Sequence, residues 1–166
     1  MNWVTDCFRK RMVVGMADMV VTNDSSAELV TYSLGSCLGV AIYDPVKRVG
    51  GLLHSMLPTS SLDKEKSLKF PYKFLDTGVP LLFHTAYRFG AEKSRLIVRV
   101  VGGASILDDY FHIGSRNYEK LQQILESNGV LINAQEVGGK ISRSVSLEIA
   151  TGRLLIETPG RKTVSI

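Results

Sequence analysis

Two apolar runs, residues 38–43 closed by Asp44-Pro45 and residues 49–57 closed by Pro58, constrain the fold more than any other feature of this chain. Each has the length of a strand and ends at turn residues, so together they read as two buried strands joined by a turn. Residues 12–23 and 28–33 also run at strand length, with Asn23-Asp24-Ser25-Ser26 supplying the turn between them. Val79, Leu82, Phe83, Ala86 and Phe89 recur at three- and four-residue spacing, with Pro80 in a first turn and Gly90 as a stop, which predicts a helix. A second helix is expected from a Ser115 cap to Gly129, burying Tyr118, Leu121, Ile124 and Leu125. Residues 95–101, 130–137, 144–149 and 153–156 have strand character, the last two about a Thr151-Gly152 turn. The lysine-bearing stretch 59–69 has no apolar periodicity and reads as an exposed loop. Strands outnumber helices. The expected fold is therefore α/β, a layered α-β-β sandwich with mixed sheets and two main helices, rather than a doubly wound parallel sheet.

With 166 residues, 45% of them hydrophobic and 22% charged, the chain has the size and composition of one globular domain. No repeat or linker divides it. The expected organisation is a flexible leader over 1–10, a single domain over 11–160 and a tail over 161–166. Arg9, Lys10 and Arg11 precede a short apolar run, but Asp18 ends that run too early for a signal peptide or a membrane span. A net charge of +4 favours acidic partners without marking a nucleic-acid binder. Cys7 and Cys37 are the only cysteines, so neither a disulfide framework nor a CxxC knuckle exists, and the expected compartment is the reducing cytoplasm. His84 and His112 lack cysteine or carboxylate neighbours at metal-ligand spacing, so no metal is expected.

Chemistry concentrates between Thr31 and Pro58. Cys37 sits between a Gly-containing turn and an apolar strand, and His54 ends a second strand 17 residues later. Neighbouring strand ends would bring thiol and imidazole together, and an imidazole can hold a reactive thiolate as an ion pair. Such a thiolate should alkylate well below the pH an ordinary thiol needs. Backbone N–H groups around Gly35, Ser36 and Cys37 would then face a tetrahedral oxyanion, with Gly35 permitting tight geometry. The residues alone leave a second reading open, in which Cys37 packs a core and His54 is a satisfied histidine beside it.

The order of several blocks adds to this. Val14-Gly15-Met16-Ala17-Asp18, Thr31-Tyr32-Ser33-Leu34-Gly35-Ser36-Cys37, Tyr43-Asp44-Pro45, Gly50-Gly51-Leu52-Leu53-His54-Ser55-Met56-Leu57-Pro58 and Val137-Gly138-Gly139 resemble the CheD family of chemoreceptor glutamine deamidases. Asp76-Thr77, Gly102-Gly103-Ala104 and Ile113-Gly114-Ser115-Arg116-Asn117 support the resemblance. It implies a protein-glutamine deamidase with Cys37 as nucleophile, His54 as general base and Thr31 as the residue orienting the imidazole. No cofactor is implied. The implied partners are the cytoplasmic helices of chemoreceptors and a CheC-type chemotaxis phosphatase, with Tyr110, Phe111 and Ile113 as a candidate contact. Ser105-Ile106-Leu107 departs from the family's usual continuation after Gly102-Gly103-Ala104, which bears on the substrate surface rather than the chemistry. The alternative is a non-catalytic adaptor that binds and regulates such a phosphatase; a different thiol hydrolase stands behind both. Lys64, Lys66, Lys69 and Lys73 form either a solvated rim or a surface that steers acidic receptor helices.

Overall fold

The two apolar runs become β4 (Leu38–Asp44) and β5 (Val49–Ser55), an antiparallel pair in which every residue is buried. The computed structural model describes residues 9–107 and 110–166; Trp3, Cys7 and the rest of 1–8 lie outside the described residues. Within them, one five-stranded sheet is ordered β2 (Asp18–Thr22), β5, β4, β6 (Ile97–Gly102) and β7 (Ala134–Val137), with only β6 and β7 parallel. A second is ordered β1 (Lys10–Val13), β3 (Ala27–Leu34), β8 (Arg143–Glu148), β9 (Leu154–Glu157) and β10 (Val164–Ser165), with only β1 and β3 parallel. Both sheets are mixed.

Alternation along β4 and β5 explains their unbroken apolar character. Val40, Ile42 and Leu53 pack into one core with Leu75, Val79 and Leu82 of α2 (Leu75–Arg88) and Leu121 and Leu125 of α3 (Ile113–Ser127). Ala41 and Leu52 face the opposite way, into a second core with Leu29, Leu147, Leu154 and Ile156 of the other sheet. A strand covered on both faces has no position for a polar side chain facing water. The layers therefore run helices, sheet, sheet, as expected. The two sheets approach so closely at Gly50 that a Cβ there would lie 2.3 Å from the Ile149 side chain.

Several boundaries differ from the sequence reading. Residues 12–23 do not form one strand: β1 joins one sheet and β2 the other, with a turn between in which Ala17 takes a left-handed φ of 54°. The stretch 59–69 is exposed but not a loop, since Ser60–Leu62 forms a 3-10 turn and Lys64–Lys69 forms α1. No residue of α1 is buried, so no apolar stripe marks it; the Asp63 side chain caps it by accepting the Lys66 N–H at 3.0 Å. Ser115 is not the cap of α3. Gly114 abuts the Gly103 and Ala104 carbonyls, the helix already begins at Ile113, and the Ser115 hydroxyl donates back to His112 O at 3.0 Å. The strand expected over 130–137 is confined to β7, because the Asn133 side chain, rather than a ladder carbonyl, takes the Val98 N–H at 2.7 Å. Lys10 belongs to β1 and Val164–Ser165 to the sheet edge. No described helix is long and apolar enough to cross a membrane.

Asp44 ends β4 with a fully buried side chain. Its carboxylate accepts the N–H groups of Val46, Lys47 and Glu92 at 2.9, 3.1 and 2.9 Å, and Arg95 donates through Nε and Nη2 at 3.1 and 2.8 Å. Burial pushes the carboxyl up, but Arg95 and the three amides outweigh it and bring the group down to about 2. Asp44→Ala should cost about 3 kcal/mol in urea unfolding, because it orphans three amides and half of an ion pair. The folded-state value lies below the ordinary 3.8, so this stabilisation is complete above that range and lost as pH falls toward 2. The stability gap between wild type and Asp44→Asn should close over that window.

Candidate active site

Thr31 lies on β3 and His54 on β5, in different sheets, and both side chains point into the layer between them. Thr31 shares the face of Leu29, and His54 that of Leu52. Thr31 Oγ1 lies 2.7 Å from Val14 O and 2.7 Å from His54 Nδ1, and both residues are at most 1% exposed. A hydroxyl has one hydrogen, and a carbonyl can only accept, so that hydrogen goes to Val14. Thr31 must then accept from the ring. This assigns the proton to His54 Nδ1 and leaves a lone pair on Nε2, which is buried without a hydrogen-bond partner among the described residues. Val14 reaches this position because the chain crosses from one sheet to the other directly after it; its own N–H is bound to Val30 O at 2.7 Å.

Cys37 stands one residue before β4. Gly39 is the register partner of His54, so Cys37, two residues before it, approaches His54 as a diagonal neighbour of that row, and no hydrogen bond joins its sulfur to His54 Nε2. The side chain is half-buried against the inter-sheet core. It is not sealed. Past Thr31, β3 and β8 shift register, with Thr31 opposite Val145 and Leu34 opposite Arg143, so β3 carries one extra residue and Ser33 a left-handed φ of 56°. This bulge re-aims the chain into the 35–37 turn.

Three donors then gather the turn's carbonyls. Ala104 N–H binds Gly35 O at 2.8 Å, Asn117 Nδ2 binds Ser36 O at 2.9 Å, and Gly103 N–H binds Cys37 O at 2.9 Å. Among the described residues, no oxygen accepts the N–H of Ser36 or Cys37. Both amides are thus left as donors without an oxygen partner, the kind of group an oxyanion requires. Gly35 serves this turn by size, not by a left-handed backbone: a Cβ would meet Ile106 Cδ1 at 3.0 Å. At Gly102, with φ of 116°, a Cβ would lie 2.2 Å from Cys37 O.

Burial pushes the Cys37 thiol up, with its own N–H pulling it back only in part, and burial pushes the His54 imidazole down. Each direction, taken for the group by itself, favours the neutral form: a protonated thiol and an uncharged ring. Burial thus works against the ion pair expected from sequence, which an imidazolium close to the sulfur would have to offset.

Ser36 lines an open groove with Ala104, Ser105, Ile106 and Leu107. Beyond it Tyr110 and Phe111 are strongly exposed, whereas Ile113 is half-buried in the first turn of α3. His84 and His112 are exposed and far from forming a cluster: the described residues hold no group of three metal-ligating side chains. Two participants escaped the sequence reading. Val14 acts through a backbone atom, which no residue type signals. Asn117 stands in the 113–117 block, and its burial on a helix face was the only available sign of a role.

The site thus consists of a Thr–His pair locked between two mixed sheets, with a half-buried cysteine at the adjoining strand end, in a three-layer α-β-β protein. The chain belongs to the CheD family: residues 56–158 match the family model described as CheD chemotactic sensory transduction. It is 49% identical over 151 residues to the probable chemoreceptor glutamine deamidase CheD 1 of Syntrophus aciditrophicus, covering 90% of this chain and 94% of that one. It is 44% identical over 155 residues to the probable chemoreceptor glutamine deamidase CheD of Solibacter usitatus, covering 92% of each. Matches of this length take in the 31–54 segment, which the family model's span does not.

The raised Cys37 thiol makes a specific prediction. Iodoacetamide should alkylate Cys37 with a midpoint above that of an unperturbed thiol, since a raised value leaves less thiolate at any given pH. A plateau of fast reaction near neutral pH would instead mark an ion pair.

Proposed function

We propose that this protein deamidates selected glutamines of chemoreceptors, converting them to glutamates with release of ammonia. The relatives' names supply the reaction class, and the Thr31–His54 hydrogen bond is the observation that carries it here. A buried threonine that spends its only hydrogen on Val14 O holds the imidazole as the Nδ1–H tautomer, the form a general base needs.

As the sulfur attacks the glutamine carboxamide carbon, the thiol proton passes to His54 Nε2 and a C–S bond forms. The N–H groups of Ser36 and Cys37 bind the oxyanion. The ring, now positively charged, keeps its Nδ1 proton on Thr31 and gives the other to the amide nitrogen. The C–N bond breaks, ammonia leaves, and a thioester remains on Cys37. Water then loses a proton to His54 Nε2 and attacks the thioester carbon; the C–S bond breaks and the thiolate recovers its proton. Neither step calls on a cofactor. Each turnover adds one negative charge to a receptor helix.

The exposed side chains of Ile106 and Leu107 in the groove suit a helical protein substrate, and Tyr110 and Phe111, exposed a few residues further along the chain, suit the same substrate or a CheC-type phosphatase as competitor. On the other flank, Lys73 O accepts the N–H groups of Met56 and Leu57, which draws the lysine-bearing segment alongside the end of β5. Lys64, Lys66 and Lys69 there would steer an acidic helix.

Peptide mass spectrometry on receptor cytoplasmic fragments tests the reading: wild type should convert glutamines and Cys37→Ala none. Equal conversion by both would exclude the nucleophile, and conversion by neither would leave the adaptor role. Thr31→Val should lower kcat about 100-fold by freeing the ring's tautomer and orientation. If the lysines steer substrate, kcat/KM should fall with rising ionic strength, and replacing Lys64, Lys66 and Lys69 with Ala should flatten that dependence.

A further inference from the structure

Asn117 lies on α3, is fully buried, and belongs to no strand of the site. Its Nδ2 donates to Ser36 O at 2.9 Å and to Met56 O at 3.0 Å. Ser36 immediately precedes Cys37, and Met56 follows His54 by two residues, so one NH2 group bridges the two chain segments that carry the sulfur and the ring. The amide's orientation is forced, because the flipped form would set Oδ1 against two carbonyl oxygens.

A peptide unit is planar and trans, and none of the described residues has a cis bond, so the Ser36 carbonyl and the Cys37 N–H point in opposite directions from one rigid plate. Holding the carbonyl aims the N–H. The flanking carbonyls of Gly35 and Cys37 are held by backbone amides, whereas the plate that carries the Cys37 N–H is held by a side chain alone. Oδ1 of Asn117 is buried without a partner among the described residues, a cost that an apolar residue of similar size would avoid. Packing does not account for an asparagine here.

We infer that Asn117 is a positioning residue for the deamidation reaction: its amide aims the Cys37 N–H at the oxyanion and sets the spacing between the Cys37 and His54 segments. This rests on the deamidase reading above. The side chain has no assigned contact with the receptor, so its removal should act on kcat and spare KM.

The experiment compares full-length wild type, Cys37→Ala, Asn117→Ala and Asn117→Ser on a receptor cytoplasmic fragment, below the melting temperature of every variant. Asn117→Ala should lower kcat about 100-fold with KM within about twofold, the scale on which one misplaced oxyanion donor acts, and Asn117→Ser, which keeps a hydroxyl donor, should fall between it and wild type. A kcat for folded Asn117→Ala within about threefold of wild type, or a loss carried by KM, would overturn the inference. If Asn117→Ala does not fold, Asn117→Ser decides by the same criterion; if neither folds, the residue belongs to stability and the inference falls. Equal conversion by wild type and Cys37→Ala strikes the parent reading instead, whatever Asn117 does.

Discussion

A single hydroxyl hydrogen sets the state of the buried histidine on which the proposed chemistry depends. Thr31 gives it to the Val14 carbonyl and so must receive from His54, which decides where the imidazole proton sits. That contact joins two sheets and a crossover, so it exists only when all three are in register. A one-residue slip of β3 would turn Thr31 to the opposite face and replace it with a neighbour that cannot serve. The close approach at Gly50 and the bulge after Thr31 belong to the same constraint: the first lets the sheets come near, and the second bends β3 toward the turn that presents the cysteine.

The layer that holds the pair also bears on its charge. Burial works against both thiolate and imidazolium, and so favours the proton on sulfur. A base with a free lone pair and an acid that has not yet ionised suit a reaction in which the proton moves as the carbon is attacked. In the proposed mechanism the ring's positive charge would fall where Thr31 already accepts, so that part of the required polarity is set before substrate arrives.

How much of this could be read from residues alone follows from the range of each interaction. β4 and β5 were legible because a strand buried on both faces must be apolar throughout, a property visible within seven residues. α2 was legible by its stripe. α1 was not, since a helix held by Asp63 and facing water leaves no apolar period behind. The start of α3 was misplaced by three residues, its cap being His112 rather than Ser115, because its position is set by how closely Gly114 meets a distant loop. Cys37 and His54 stood out by chemical type and by their places at strand ends. Thr31 was singled out only through family resemblance, since a β-branched residue in a strand is unremarkable.

Residue order therefore accounts for the strand pair, the helices with buried faces and the two reactive side chains, because periodicity and chemical type are carried locally along the chain. The tautomer of His54, the upward push on the Cys37 thiol and the hydrogen bonds of Val14 and Asn117 came only with packing. Each depends on a contact between segments 17 to 81 residues apart or on exclusion of water, and neither is written in any stretch of neighbouring residues.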